Sequence, residues 1–496
     1  METILLAIGL VANWNVILTI LAASLFGLFV GAVPGLTATM ATAMLVPLTF
    51  FMEPVAAVGA MISCSAMAIF AGDVPGALLR IPGTPASAAY VEDSYQMTLK
   101  GEAELALGAC VLFSALGGLF GSLVLIFAAP TLAEFAMKFS SQEYFWMATL
   151  GLTCAVFIGA ASPVRGLISL LIGLTIGIVG LNNPAAVPRL TFGMTELLGG
   201  IDFIPVMIGI FAISQVFRTV LSGGRDDTPP PAAVGNIFRG WGMMLRQWWR
   251  QAIRGNIVGT AIGVLPGAGA DVAAYVSYAI SRRFSKTPEK FGTGHVEGVV
   301  EAGASNNASL SSAWVPALVF GIPGDTITAI VIGVLYVKGL NPGPTLFIFN
   351  PQTIYAVFIV FILANLVMIP FGWLLIKSAK NILRISKSVL MPIILLFCIV
   401  GAFAANNTVF GVGMMLVFGF VGYVMEENDI PVAPCVLGIV ICPILEKNLI
   451  SSLIKSQGNW IDFINRPIST GLFALLVLIW ASIIWRWIAG PKRAEA

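Results

Sequence analysis

Residues 27–50 read GLFVGAVPGLTATMATAMLVPLTF, and residues 259–278 read GTAIGVLPGAGADVAAYVSY. Both stretches contain the pattern G-x-x-x-G-x-x-P-G within an apolar segment, and its Pro-Gly pair falls at 34–35 in the first and at 266–267 in the second. Because proline removes a backbone donor and glycine permits positive φ, each pair predicts that a helix stops inside its apolar segment. The same break therefore occurs once in each half of the chain.

A second pair of motifs follows the first in the same order. Val-Pro at 74–75 precedes Pro-Gly at 82–83, and Val-Pro at 315–316 precedes Pro-Gly at 323–324 with the same spacing. Ordered recurrence of two motifs without gaps indicates an internal repeat. Two halves that each carry apolar segments broken by Pro-Gly are typical of a secondary transporter built from inverted repeats.

The composition indicates a membrane protein. Of the 496 residues 58% are hydrophobic and 10% are charged, against a charged share of roughly 25% in soluble domains. Charge-free runs recur near or above the ~20 residues that one helix needs to cross the hydrocarbon layer, where backbone groups must pair internally. We expect an all-α polytopic membrane protein with two inverted structural repeats, Pro-Gly-broken or re-entrant helices and about 10 to 12 transmembrane segments.

One linker divides the chain. Residues 222–233 contain Gly-Gly-Arg-Asp-Asp followed by three prolines, which is typical of a connecting segment. We predict a first transmembrane repeat over 1–221, a cytoplasmic linker and interfacial helix over 222–254, and a second transmembrane repeat over 255–496. The arginines and tryptophans of 238–250 favour a helix at the membrane surface, either a strut between the halves or a docking site for a partner.

The break in the second half predicts where a ligand binds. Segments 255–265 and 268–281 are each too short to span, which favours a re-entrant hairpin over one kinked crossing. A helix that starts inside the membrane exposes N–H groups and the positive end of its dipole, and both favour an anion. Non-helical backbone at that depth is tolerated where it lines a cavity, so the break indicates a binding site.

Polar residues inside the apolar segments are further candidates, because they are costly there and tend to line a pathway. Thr37 and Thr39 follow the first break, Asp271 follows the second, and Ser305–Asn307 precedes the second Val-Pro motif. These groups can bind a carboxylate or a sodium ion, or they can form hydrogen bonds between helices. The candidate coupling-ion residues are Asn306, Asn307, Asp271 and Asp325.

Asp73 and Arg80 are seven residues apart, which places both on roughly one face of a helix. Either the two charges neutralise each other, or the Arg80 guanidinium binds a carboxylate of the substrate through two hydrogen bonds. The spacing is compatible with both alternatives.

Two other functional classes remain as alternatives to an autonomous transporter. An intramembrane enzyme would need a positioned nucleophile and base, but the sole histidine, His295, lies in a polar loop. We therefore expect that the chain is not an enzyme and has no catalytic residue. We also expect that it binds no metal beyond a possible sodium ion. The chain has no Walker-type nucleotide motif, so a permease driven by ATP would depend on a separate energising subunit.

Five passages together resemble the large membrane subunit of the tripartite tricarboxylate transporters. They are 27–50, RIPGTPASAA at 80–89, 259–278, FGTGHVEG at 291–298, and 301–344 with SNNAS, GIPGD and KGLNPGP. The resemblance implies a multi-pass protein of the bacterial inner membrane that imports a small carboxylate, tricarboxylate-like or another organic acid, driven by a sodium or proton gradient. It implies a small membrane subunit and a periplasmic substrate-binding protein as partners, no cofactor other than Na⁺ or H⁺, and no nucleic acid.

The resemblance also implies which residues form the site: the two Pro-Gly breaks, the Ser305–Asn307 run and the two Ile-Pro-Gly turns. The candidate substrate-binding residues are Pro34, Gly35, Thr37, Thr39, Arg80, Gly83, Thr84, Pro266, Gly267, Gly269, Ser305, Asn306, Asn307 and Gly324. One passage departs from the family, which often has Gly-Gly-Ser where this chain has Ala71-Gly72-Asp73 and an uncharged residue at the place of Arg80. A substrate that differs from citrate in charge or shape therefore remains open.

Overall fold

A computed structural model of the chain describes residues 2–33, 36–158, 162–181, 187–221, 234–382 and 387–488. These residues form α-helices joined by turns and short 3₁₀ or π segments, and no β-strand occurs among them. The all-α fold class is therefore confirmed. The helices are α1 Glu2–Val11, α2 Trp14–Ala32, α3 Ala38–Thr49, α4 Pro54–Ala71, α5 Asp73–Leu79, α6 Val91–Leu99, α7 Ala103–Ala136, α8 Ser141–Ile158, α9 Pro163–Gly177, α10 Phe203–Ile208, α11 Ser214–Leu221, α12 Trp241–Gly263, α13 Gly269–Phe284, α14 Val296–Ser312, α15 Trp314–Phe320, α16 Thr326–Val337, α17 Pro344–Phe349, α18 Pro351–Ile382, α19 Lys387–Asn406, α20 Val409–Glu427, α21 Val432–Lys455 and α22 Pro467–Ile488.

Seven stretches of the described chain are long and apolar enough to cross a membrane. They are α2, α4 with α5, α7, α10 to α11, most of α18, α20 and α21. Shorter apolar helices, α3 and α16 among them, accompany these spans. The structure thus supports a multi-pass membrane protein, while the number of crossings and the inverted relation of the halves stay predictions.

The helices break where the sequence predicts. In the second half α12 ends at Gly263, α13 begins at Gly269, and Gly267 between them has φ +83°. The helices α12 and α13 also pack against each other, as the arms of a hairpin do. In the first half α2 ends at Ala32 and α3 begins at Ala38; Pro34 and Gly35 lie outside the described residues.

The surface helix differs from its predicted form. The predicted interfacial segment 238–250 and the first hairpin arm 255–265 share one helix, α12, which has non-helical dihedrals only at Trp248. The residues between the two predicted segments, Gln251 to Arg254, are favourable helix formers and contain neither glycine nor proline, so nothing separates them. The predicted linker 222–233 lies outside the described residues.

The glycines before each break allow two helices to touch. A Cβ on Gly27 would lie 2.3 Å from the Cys64 carbonyl oxygen of α4, and one on Gly259 would lie 2.2 Å from the Ser305 carbonyl oxygen of α14. The second glycine of each motif has the same kind of contact. The G-x-x-x-G spacing therefore serves close helix packing, α2 on α4 and α12 on α14.

The second motif also recurs as structure. The helix α4 continues into the short α5, whose C-cap residue Arg80 has φ +61°, and α14 continues into the short α15, whose C-cap residue Gly321 has φ +68°. Ile-Pro-Gly follows each of these two residues. Arg80 thus occupies a left-handed helix end that favours glycine.

This geometry predicts a difference between two variants. Arg80→Gly should have a free energy of unfolding about 1 kcal/mol above that of Arg80→Ala, because a Cβ is costly in the left-handed region. Both variants lose the same side chain, so the comparison isolates the backbone. Thermal unfolding of the purified protein in detergent measures it, and equal stability of the two variants would contradict the assignment.

Candidate functional site

A cavity of about 260 Å³ lies where three helices begin. The starts of α3, α13 and α16 meet there, and the turn at Thr84 closes one side. The sequence-predicted residues that line it are Thr37, Thr39, Thr84, Gly267, Gly269, Asp271 and Asp325. The two halves of the chain therefore build one site.

The three helix starts differ in how they are capped. The Thr37 hydroxyl accepts the Met40 N–H (3.1 Å) at the start of α3. The Asp325 carboxylate accepts the Thr328 N–H (2.7 Å) at the start of α16. Among the described residues no side chain caps α13, so the N–H groups of its first turn are available to a ligand.

Each half contacts the broken helix of the other half at this cavity. The Thr39 and Thr326 hydroxyl oxygens are 3.1 Å apart and share a hydrogen bond between α3 and α16. The Ala86 N–H donates to Asp271 Oδ1 at 3.0 Å, which joins the first Ile-Pro-Gly turn to α13. The turn after each Ile-Pro-Gly therefore fixes a helix start of the opposite half.

The turns themselves repeat the same hydrogen bonds. Thr84 and Ser87 exchange backbone-to-hydroxyl bonds of 3.2 and 3.3 Å. Asp325 and Thr328 exchange the equivalent pair at 2.8 and 2.7 Å. These reciprocal caps extend the internal repeat beyond the Pro-Gly positions.

The cavity combines acidic side chains with the positive ends of helices. Among its described lining residues the ionisable ones are all acidic: Asp271, Asp325 and Glu426. Glu426 faces Arg218 at 3.4 Å, so one of the three charges has a cationic partner. Helix starts favour an anion, whereas Asp271 and Asp325 favour a cation beside it.

Three predicted glycine and proline positions lie behind the cavity wall. The Gly83 N–H donates to the Gly72 carbonyl at 3.0 Å, and the Gly324 carbonyl accepts the Gly267 N–H at 2.8 Å. Pro266 packs near Gly151 of α8. These positions shape the turns and do not line the cavity.

The Ser305–Asn307 run is buried in α14 and does not line the cavity. Ser305 donates to the Ala273 carbonyl at 3.0 Å, and Asn307 Nδ2 lies 3.7 Å from Met368 Sδ. Neither side-chain polar atom of Asn306 has a hydrogen-bond partner within the described part of the chain. The four predicted coupling-ion residues therefore form two separate groups.

Arg80 does not pair with Asp73 and does not line the cavity. Its side chain is 59% exposed and pairs with Glu92 at 2.8 Å, while Asp73 accepts a hydrogen bond from Tyr90. Hydrogen bonding by Gln96 and by Arg80 lowers the pKa of Glu92 below its usual value. The expectation from helical spacing is wrong because α5 ends at Leu79, so Arg80 does not continue the face of Asp73.

Sequence reasoning missed part of the wall. Phe211 and Gln215 line the cavity beside a π-helical segment, Gly209–Ile213, that joins α10 to α11. Such segments are frequent at functional sites. The available signal was an amide side chain, Gln215, within an apolar stretch.

These features define a polytopic helical membrane protein with a cavity that is lined by both halves. The sequence model of the tripartite tricarboxylate transporter TctA family matches residues 17–437, and the chain belongs to that family. It is thus a component of a transporter, in agreement with the expectation that it is not an enzyme.

Two relatives come from Agrobacterium vitis. The chain is 32% identical over 455 residues, 91% of its length and 89% of the relative's, to the uncharacterized 52.8 kDa protein in the TAR-I ttuC' 3' region. It is 33% identical over 217 residues, 44% of its length and 90% of the relative's, to the uncharacterized protein in the TAR-II ttuC' 3' region. No solved structure matches the chain.

Proposed function

We propose that this chain is the large membrane subunit of a binding-protein-dependent secondary transporter that imports a small carboxylate, driven by a sodium or proton gradient. The observation that carries the proposal is the cavity at which α3, α13 and α16 begin. Helix starts inside a membrane protein are suited to bind carboxylates. Helix breaks in both halves favour alternating access around a shared site.

The substrate carboxylate would bind at the first turn of α13, which no side chain caps. A coupling cation would bind beside it at Asp271 and Asp325, whose carboxylates both line the cavity. Because no cationic side chain occurs among the described lining residues, the anion and the cation would each lower the cost of binding the other. This mutual dependence is what couples uptake to an ion gradient.

The partners follow from the family. A tripartite system contains two further components, which we propose to be a small membrane subunit and a periplasmic substrate-binding protein. The binding protein would deliver the organic anion to the chain in the bacterial inner membrane. The apolar helices of the described residues would face the lipid.

The test is uptake of a panel of labelled carboxylates into proteoliposomes that contain the full chain and its two partners. We expect one compound to accumulate with an inward sodium or proton gradient and none without a gradient. Uptake that is indifferent to both gradients but requires ATP would overturn the proposal in favour of a separately energised permease.

Asp271→Asn should reduce gradient-driven uptake at least about tenfold, because a charged partner of a bound cation contributes about 1.5–3 kcal/mol. The amide can still accept the Ala86 N–H, so the fold should persist. Asp462→Asn, in the loop between α21 and α22, is the matched control. Wild-type uptake by the Asp271 variant would remove that residue from the site.

A further inference from the structure

The carboxylate of Asp73 is buried outside the cavity. Asp73 begins α5, is 2% exposed and was not among the predicted site residues. Its Oδ1 accepts the Tyr90 hydroxyl, and its Oδ2 has no hydrogen-bond partner within the described residues. A buried acid inside a membrane protein costs free energy, and such residues usually mark a functional site.

The side chains around Asp73 come from different elements. Tyr90 precedes α6 and is buried, and the Cys110 thiol of α7 lies beside the Asp73 carboxylate. Asn306 of α14 lies beside the Tyr90 hydroxyl, and its buried amide makes no geometrically defined hydrogen bond within the described residues. The first half supplies the acid, and the second half supplies the amide.

No cationic side chain of the described residues balances this carboxylate. Among the described residues no lysine, arginine or histidine forms an ion pair with Asp73. The titratable groups that face it are Tyr90 and Cys110; on α6, Glu92 pairs with Arg80 and Asp93 with the loop before α14. An isolated ionised carboxylate is too costly in such a place.

Asp73 is close to the transport cavity. The preceding residue, Gly72, packs against Thr84, which lines the cavity: a Cβ on Gly72 would lie 2.6 Å from the Thr84 methyl carbon. A shift of the Thr84 turn on substrate binding would therefore change the surroundings of Asp73. One structural contact links the two sites.

We propose that Asp73 is a proton-binding site, distinct from the cavity, and that it gains and loses one proton in each transport cycle. The neutral acid fits the buried site without a counter-ion. After the proton leaves Oδ2, the Tyr90 hydroxyl and the Cys110 thiol are the nearby donors that can hydrogen-bond the carboxylate, and the Asn306 amide lies beside the Tyr90 hydroxyl. This inference rests on the proposed function and adds a proton at Asp73 to the cation that would bind at Asp271 and Asp325.

Transport by Asp73→Asn, a neutral isostere of the protonated acid, is the first test. For one coupled proton, a gradient of one pH unit supports about tenfold accumulation. The variant should lose that tenfold accumulation while it exchanges external for internal substrate at the wild-type rate. Asp462→Asn should keep both activities. A variant that still accumulates substrate with the pH gradient as the wild type does would overturn the proposal.

Infrared difference spectroscopy of the purified protein is the second test and needs no transport. The wild type at neutral pH should show the carbonyl band of a protonated carboxyl group that is absent from Asp73→Asn. If that variant does not fold, Tyr90→Phe, which removes one hydrogen bond to the acid, should shift the same band. Absence of the band from the wild type, or no shift in Tyr90→Phe, overturns the proposal. If no carboxylate is exchanged by the wild type, the proposed function fails, and the spectrum still decides the protonation of Asp73.

Discussion

Asp93→Ala is expected to lower the free energy of unfolding by about 4 kcal/mol, because it leaves four partly buried donors without their acceptor. Asp93 of α6 is fully buried. Its Oδ1 accepts the N–H groups of Gly292, Gly294 and His295 at 2.8 to 2.9 Å, and its Oδ2 accepts the Tyr278 hydroxyl at 2.6 Å. One carboxylate thus fixes the loop between α13 and α14 to the first half.

Thermal and denaturant unfolding of the purified protein in detergent measure this loss. Glu92→Ala is the matched control on the same helix, since its ion pair with Arg80 is partly exposed and such pairs contribute only about 0–1 kcal/mol. Asp93→Asn should lie between the two, because an amide keeps one acceptor oxygen. If Asp93→Ala is no less stable than Glu92→Ala, the carboxylate does not hold this loop.

Gly267→Ala is expected to reduce transport about 100-fold, since displacement of a binding site by about 1 Å costs that much. Gly267 has φ +83°, and a Cβ there would lie 2.4 Å from Ala155 Cα of α8. The backbone must move to relieve the contact. That movement displaces the start of α13 and stretches the hydrogen bond from Gly267 to the Gly324 carbonyl.

Gly339→Ala separates the effect of the positive φ from the effect of the contact with α8. Gly339 also has positive φ, +71°, but a Cβ there has no heavy atom within 4 Å. This control should cost about 1 kcal/mol of stability from the backbone alone and leave uptake unchanged. The measurement is the initial rate of labelled carboxylate uptake, normalised to folded protein. Equal rates for the two variants would show that the Pro-Gly turn does not position the site.

The features that sequence reasoning recovered are local. Proline and glycine fix backbone dihedrals directly, so the break at 266–267 and the close packing at Gly27 and Gly259 could be predicted from residue type and spacing. Residues just after a break face whatever the break encloses, which is why Thr39 and Asp271 both line the cavity.

The features that it missed depend on contacts between distant segments. The spacing of Asp73 and Arg80 did not show that α5 ends between them. Helical period alone does not show which neighbour the Asn306 side chain meets, because α14 is buried along its whole length. The role of Asp93 depends on residues about 200 positions away in the sequence, and no local pattern encodes that contact.

The hydroxyl pair of Thr39 and Thr326 has a consequence for how the molecule opens. A motion that parts only the starts of α3 and α16 breaks one hydrogen bond between neutral hydroxyls, which contributes about 1 kcal/mol, and leaves the bonds of Lys338 at the other end of the two helices in place. A motion that frees the loop at 292–295 breaks four bonds to one buried carboxylate. Thermal fluctuation can therefore separate the first contact often and the second rarely, so the hydroxyl pair is suited to be a gate and the Asp93 contact to be a fixed pivot.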